Sequence, residues 1–319
     1  MAATTVEAVN KIERGGGWSR FTQERRPGML VAKLAAFLLM CFIAFLFLVP
    51  LVWMISTSLK TPQDLQNPSF IPNPIAWENY RDAFSFGMWG RWTLNTVIIT
   101  FFSVVGMVFS TSLVAYSFAR LRWPGRAFLF SIVLATMMLP DVVTFIPRFI
   151  IFSELPAPRV NFPLFALDGN NASWVNTFLP LIVPDFLAGS AFNIFLMRQF
   201  MRGVPMELSE AARIDGASEF RIYWNVVLPL CKPALATIAI FTFQSSWQDF
   251  MGPLLYLQSE QNYTLQIGLR TFEFAAGGAP NWSWMMAGSL IVMLPVLIVF
   301  VLFQQYFIEG IQISGMGGR

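Results

Sequence analysis

Seven polar residues whose side chains are capable of chemistry stand inside, or at the edges of, long apolar stretches of this sequence. They are Asp141, Arg148, Asp185, Asn193, Trp247, Gln248 and Asp249. An ionisable group at membrane depth is costly, so it faces a protein interior or a water-filled path, where it pairs, relays protons or contacts a solute. These residue types leave three functions open: a hydrophilic translocation path, a proton-coupled transporter, and an intramembrane aspartyl catalyst.

Residue types and spacing give two of these positions a more specific interpretation. Asp141 and Arg148 are seven residues apart, which places them two turns apart on one face of a helix. The flat indole and the N–H of Trp247 suit stacking against a sugar ring. The alternative is structural: the charges form pairs between helices, or Arg148 and Asp185 lie at the membrane interface and extend to water.

The composition excludes several other kinds of site. The chain contains no histidine, and its two cysteines, Cys41 and Cys231, are far apart in the sequence. A zinc site, a histidine general base and a disulfide framework are therefore not expected. No G-x-x-x-x-G-K-S/T phosphate loop occurs, so ATP is not bound in that way. We predict no catalytic residue, no metal ligand and no cofactor in this chain.

The elements that carry the polar residues are predicted membrane spans. Charged residues make up 12% of the chain, whereas a soluble domain has about 25%. Runs of about 20 uncharged residues cross a bilayer as helices. The predicted spans are Leu34–Ser56, Thr93–Phe118, Ala127–Phe152, Val175–Met197, Pro233–Leu257 and Met285–Ile308. We therefore predict an all-α, polytopic membrane protein with six transmembrane helices.

The distribution of basic residues predicts which side of the membrane each segment faces. We divide the chain into an N-terminal arm at 1–33, a six-span membrane domain at 34–308 and a C-terminal tail at 309–319. If the arm is inside, the inner segments hold 15 of the 21 Lys and Arg residues. Cytoplasmic loops carry such an excess, so both ends of the chain and the segment 203–230 are predicted to be cytoplasmic. The net charge of +3 thus indicates topology and no nucleic-acid partner.

The segment 203–230 is rich in charge and lies between the predicted fourth and fifth spans. Gly216 is a natural stop for a first helix. Ser218 can cap a second helix over residues 219–227, which ends before Pro229. The segment is therefore predicted to form two short helices on the cytoplasmic face.

A polar insert between membrane spans requires a function that faces water. Glu210 and Arg213 are three residues apart and can pair on one exposed helix face. The small residues Ala211, Ala212 and Gly216 allow another protein to approach the backbone closely. The alternative is an interfacial amphipathic helix that only anchors the bundle.

The same segment resembles the EAA motif of ABC importer permeases. It has Glu210-Ala211-Ala212, then Gly216, then Val226-Val227-Leu228-Pro229. Residues 241–254, FTFQSSWQDFMGPL, are similar to the inner-membrane subunits of carbohydrate importers of the maltose-permease type. In that family the loop fits a cleft in the ATP-hydrolysing subunit. The resemblance implies that coupling to the ATPase rests on Glu210, Ala211, Ala212, Asp215, Gly216, Leu228 and Pro229.

The resemblance also implies partners, location and substrate. The chain would pair with a second permease, bind two ATPase subunits that hold ATP and Mg²⁺, and receive solute from an extracytoplasmic binding protein. It would lie among lipids of the bacterial inner membrane. A sugar or oligosaccharide is the implied substrate, and glycerol-phosphate-type or modified sugars stay open because Arg148 can attract an anion. Four features depart from the pattern: Val226 replaces Ile, Gln248 replaces Asn, the loop 155–173 is longer, and the tail at 310–319 lacks a Lys near its end.

Overall fold

The computed structural model describes residues 27–67, 69–169, 171–272 and 281–315. Residues 1–26 of the predicted arm and residues 316–319 of the predicted tail lie outside the described residues. Helices dominate the described part of the chain. They are α1 (Pro27–Ser58), α2 (Glu78–Ser85), α3 (Trp89–Arg120), α4 (Arg126–Thr136), α5 (Asp141–Glu154), α6 (Leu179–Phe186), α7 (Ala191–Gly203), α8 (Met206–Ile214), α9 (Glu219–Ile222), α10 (Leu228–Leu230), α11 (Lys232–Trp247), α12 (Met251–Tyr256), α13 (Leu265–Thr271) and α14 (Trp282–Gly315).

The predicted polytopic helical architecture is confirmed. Within the described residues, four stretches are long and apolar enough to cross a membrane as helices: Val31–Ser58, Trp89–Arg120, Leu179–Gly203 and Trp282–Gln304. Two further pairs of helices are also long and apolar enough, but each pair is sharply bent. If each pair is counted as one span, the described residues contain six candidate spans. These pairs are α4 with α5 and the helical segment 219–230 with α11.

The predicted third span, Ala127–Phe152, is not one tilted helix. It consists of α4 and α5, which are bent by 103° around residues 137–140. Pro140 has extended backbone angles and directly precedes α5. A proline disfavours the helical conformation of the residue before it, so no helix continues through Leu139. Helix α4 ends at Thr136, and α5 begins directly after Pro140.

The predicted fourth and fifth spans are also interrupted. In the fourth, α6 ends at Phe186 and the Ser190 side chain caps α7 by accepting a hydrogen bond from Asn193 N. In the fifth, α11 ends at Trp247 and α12 follows only after residues 248–250. The sequence did not predict these interruptions. At membrane depth such irregular backbone is tolerated where it is buried in protein or lines a water-filled cavity.

Helix α3 is the central element of the bundle. It packs against α6, α7 and α11. Half of the most hydrophobic 18-residue stretch of α3 is buried, whereas the most hydrophobic stretch of α1 is not buried at all. The buried face of α3 is rich in small and hydroxylated residues, among them Ser103, Gly106 and Thr111. Such residues let membrane helices approach closely and hydrogen-bond across the interface. The exposed apolar face of α1 is that of a helix that faces lipid.

A small hairpin stands in the long loop between α5 and α6. Strand β1 (Asn161–Phe162) pairs antiparallel with β2 (Leu167–Asp168) around the short 3₁₀ turn Pro163–Phe165. Phe165 anchors the hairpin because its ring lies edge-on to Phe102 of α3, with centroids 4.9 Å apart.

The segment 203–230 forms the predicted pair of short helices, but the second is longer than predicted. It begins at Glu219, passes through a π-helical turn at Tyr223–Val227, and continues to Leu230. Pro229 does not end this helix. The π-helical turn before Pro229 has a wider hydrogen-bond pattern than an α-helix, because Leu228 N donates to Tyr223 O, five residues earlier. The chain then bends by 79° into α11.

Candidate functional site

A cavity of about 760 Å³ lies between α3, α5, the α6–α7 break and the α11–α12 break. Both breaks place irregular backbone and polar side chains on the cavity wall. Five of the predicted translocation residues line it: Asp141, Arg148, Asp185, Asn193 and Asp249. The fold thus brings together residues that are up to about a hundred positions apart in the sequence.

Asp141 and Arg148 lie on one face of α5, as the seven-residue spacing predicts, and they also form an ion pair, which the spacing did not predict. Arg148 Nη2 lies 3.7 Å from Asp141 Oδ1, and the two side chains are 51% and 84% exposed. A pair this exposed contributes little to stability, about 0–1 kcal/mol. The pair affects the charge of the cavity wall, because Asp141 offsets Arg148, the one arginine among the described residues that line the cavity.

The two other carboxylates stand at the helix breaks. Asp249 Oδ1 accepts a hydrogen bond from Gly252 N at 3.0 Å, which caps the first turn of α12. Asp185 follows Pro184 near the end of α6, and its backbone oxygen accepts from Ser110 Oγ of α3 at 2.6 Å. The sequence marked these residues by charge but could not show that each stands at an interruption of its helix.

Trp247 and Gln248 lie outside this cavity. The Trp247 side chain is 5% exposed and packs in a core cluster, where its ring stacks on Phe243 at 5.6 Å between centroids. Its Nε1 donates to Val292 O at 3.0 Å. Because both the ring and the N–H have partners within the protein, this geometry does not support sugar stacking by Trp247. Gln248 is exposed and is not among the lining residues.

Several lining residues were missed by the sequence reasoning. They are uncharged: hydroxyl groups of α3 and α11, and aromatic rings of α5 and α12, represented by Ser103, Ser246, Phe152 and Tyr256. Phe152 and Tyr256 lie edge-on at 5.5 Å between centroids, and Phe152 stacks on Trp174 of the long loop. Repeated Ser and Thr at three- and four-residue spacing on α3 is the signal that could have indicated the polar face.

The predicted coupling residues all lie on segment 203–230. Glu210, Ala211, Asp215, Gly216 and Pro229 are exposed, whereas Ala212 and Leu228 are partly buried against a core cluster. Gly216 has a φ of +80°, a left-handed conformation that strains any residue with a side chain. The turn between α8 and α9 therefore favours glycine at this position.

The predicted pairing of Glu210 with Arg213 is wrong. Arg213 Nε instead donates to Glu219 Oε1 at 2.7 Å, across the Gly216 turn. This hydrogen bond raises the pKa of the Arg213 guanidinium above its usual value. The turn brings Glu219 back alongside α8, a proximity that helical spacing alone does not reveal. Glu210 remains exposed at the surface.

Large apolar side chains are exposed on the same polar segment. Ile214 is 87% exposed, and Leu208, Phe220 and Trp224 are also exposed. Exposed apolar residues in a patch rimmed by polar ones mark sites of contact with protein or membrane. This surface, with the motif residues beside it, is the second candidate site.

The sequence over residues 111–312 matches the family model described as "Binding-protein-dependent transport system inner membrane component". The chain belongs to this family. Its relatives include the arabinooligosaccharides transport system permease protein AraQ of Bacillus subtilis (strain 168), 31% identical, with 92% of this chain and 98% of the relative covered. Another is the sn-glycerol-3-phosphate transport system permease protein UgpE of Yersinia pestis, 31% identical over 83% of this chain and 91% of the relative.

The fold agrees with that assignment. A crystal structure of a bacterial ABC transporter involved in the import of the acidic polysaccharide alginate contains a chain with a TM-score of 0.72 and 24% identity, over 88% of this chain and 98% of that chain. The resemblance to ABC importer permeases is therefore confirmed, and the chain is a multi-pass inner-membrane permease subunit of an ATP-driven importer. This membership favours transport over the aspartyl enzyme and the ion-coupled transporter.

Proposed function

We propose that this permease imports a neutral sugar or oligosaccharide through the cavity lined by Asp141, Arg148, Asp185, Asn193 and Asp249. The carbohydrate class is supported by relatives whose names specify arabinooligosaccharides and galactooligosaccharides. The charge of the lining supports a neutral solute, because three carboxylates stand against one arginine, which is already paired. Buried hydroxyl and amide groups together with aromatic rings suit the hydroxyls and apolar faces of sugars.

In this proposal the surface on segment 203–230 docks a separate ATP-hydrolysing subunit. The observation that carries it is that Glu210 and Gly216 are exposed together with Ile214 and Phe220 on a segment otherwise rich in charge. ATP and Mg²⁺ are bound by that partner. The assembly contains two such subunits, a second permease and an extracytoplasmic binding protein, and both ends of this chain are cytoplasmic.

The docking role is tested by charge substitutions on the surface. Gly216→Asp strains the turn and adds a negative charge, whereas Glu210→Lys changes a negative charge to a positive one. Each variant is expected to abolish uptake, although the protein still reaches the membrane. Gly90→Asp and Glu154→Lys are matched controls away from the loop, since a Cβ at Gly90 meets nothing within 4 Å. Normal uptake in both loop variants would disprove the docking role.

The substrate class is tested by binding and uptake. The purified binding protein is titrated with arabinooligosaccharides, galactooligosaccharides, a uronic-acid oligosaccharide and sn-glycerol 3-phosphate, and the same compounds compete for uptake by cells. We expect neutral oligosaccharides to bind and compete. Exclusive binding and uptake of the anionic compounds would overturn the proposal of a neutral substrate and would assign Arg148 to anion recognition.

A further inference from the structure

One carboxylate outside the motif residues connects three helices. Glu219 begins α9, and its Oε1 accepts a hydrogen bond from Arg213 Nε of α8 at 2.7 Å. Its Oε2 accepts a hydrogen bond from Tyr116 Oη of α3 at 2.8 Å. A single side chain thus joins both helices of the proposed docking surface to the central helix of the bundle.

The attachment of α9 to α3 is buried. Tyr116 and Tyr223 are both buried, and their rings lie edge-on with centroids 5.3 Å apart. The hydroxyl of Tyr223 lies 2.8 Å from Ser112 Oγ of α3. The π-helical turn after α9 is therefore fixed on α3 by packing, whereas the Glu219 carboxylate also reaches Arg213 on α8.

Helix α3 continues from this attachment to the cavity. Ser103 and Met107, which precede Tyr116 on the same helix, line the cavity wall. Ser110 Oγ donates to Asp185 O at 2.6 Å and accepts from Ala188 N at 3.2 Å, and so holds α3 against the α6–α7 break. A rigid displacement of α3 would move both the cavity wall and this break.

We propose that Glu219 is a positioning residue for energy coupling, because it makes α8, α9 and α3 move as one unit. The inference rests on the proposed docking of an ATPase at segment 203–230. A partner that displaces α8 then displaces α3 through the bonds of Glu219 to Arg213 and Tyr116. The half-exposed Arg213–Glu219 pair adds little stability. Its function is to fix the orientation of α8 relative to the helix that lines the cavity.

The test uses the complete importer, reconstituted in liposomes with its binding protein, and measures solute imported per ATP hydrolysed. Tyr116→Phe removes only the hydroxyl. Glu219→Gln replaces one carboxylate oxygen with an NH₂ group, so the side chain can no longer accept hydrogen bonds from Arg213 and Tyr116 through two separate oxygens. Each is expected to lower this ratio by about tenfold, within the range of about 5- to 150-fold usual for coupling between sites. ATP hydrolysis should stay close to that of the unmodified importer, because the ATPase still docks.

Two variants separate coupling from simple support of the fold. Ser112→Ala removes a hydroxyl contact between the same segments but leaves Glu219 bonded, so its ratio should equal that of the unmodified importer. Arg213→Lys keeps a cationic donor and should retain most of the coupling. Combining Tyr116→Phe with Glu219→Gln should cost no more than either change alone, because both break the same link.

The inference is overturned if Tyr116→Phe and Glu219→Gln leave the ratio at the level of Ser112→Ala. It is also overturned if transport and hydrolysis fall together while the ATPase dissociates, since Glu219 would then serve assembly. Failure of the proposed function looks different: the unmodified chain would not co-purify with an ATPase, or would import solute without ATP. An intact, ATP-driven importer with normal Glu219 variants refutes this inference alone.

Discussion

Gly268 of α13 lies against the indole of Trp92, and this contact permits a quantitative test of the packing far from the docking surface. A Cβ at Gly268 would lie 2.3 Å from Trp92 Cε3, whereas ordinary contacts are 3.4–4 Å. Trp92 cannot yield freely, because it is fully buried and its Nε1 donates to Glu260 O at 2.9 Å. Relief of the clash would require the ring to move by about 1 Å in a close-packed core, which would break that hydrogen bond.

Gly268→Ala is therefore expected to lower the free energy of unfolding by about 2 kcal/mol. Overpacking a filled core costs about 1–3 kcal/mol, and loss of the Trp92 hydrogen bond costs about 1 kcal/mol more. Replacing a glycine inside a helix offsets about 1 kcal/mol of this. A change of this size lowers the midpoint of thermal unfolding by about 4–8 °C.

The measurement is the fraction of detergent-purified protein that remains monodisperse after heating, followed by size-exclusion chromatography. Gly90→Ala is the matched control, because it adds the same methyl group to a helix where nothing lies within 4 Å. Its midpoint should not fall. Equal midpoints for Gly268→Ala and Gly90→Ala would refute the close contact between Gly268 and Trp92.

Two further substitutions separate structural from solute-binding roles. Trp247→Phe removes the hydrogen bond to Val292 O and should lower the free energy of unfolding by about 1–3 kcal/mol. The KM for uptake should not change. A raised KM with an unchanged melting midpoint would instead place the indole in contact with solute. Asp141→Asn should alter the melting midpoint little, since its exposed pair with Arg148 is worth about 0–1 kcal/mol. It should increase competition by anionic sugars, because the arginine is freed, and unchanged competition would argue against a charge-selective wall.

The sequence could predict the features that depend on local composition and spacing. Uncharged runs of span length determine the helical membrane class, because a spanning helix satisfies its own backbone hydrogen bonds. The Gly216 turn and the Ser218 cap are local in the same sense, since each depends on the conformation of a few adjacent residues. The placement of Asp141 and Arg148 on one helix face follows from helix periodicity.

Only the tertiary structure decided which polar residues meet. Trp247 and Asp249 are two positions apart, yet one packs in the core and the other faces the cavity, because α11 ends between them. The partner of Arg213 is Glu219 and not Glu210, because the left-handed turn at Gly216 folds α9 back towards α8. Interruptions of helices and contacts across turns depend on packing between distant segments, which no local pattern in the sequence encodes. The charge-rich segment could thus be identified from the sequence, whereas its connection to the cavity through Glu219 and α3 could not.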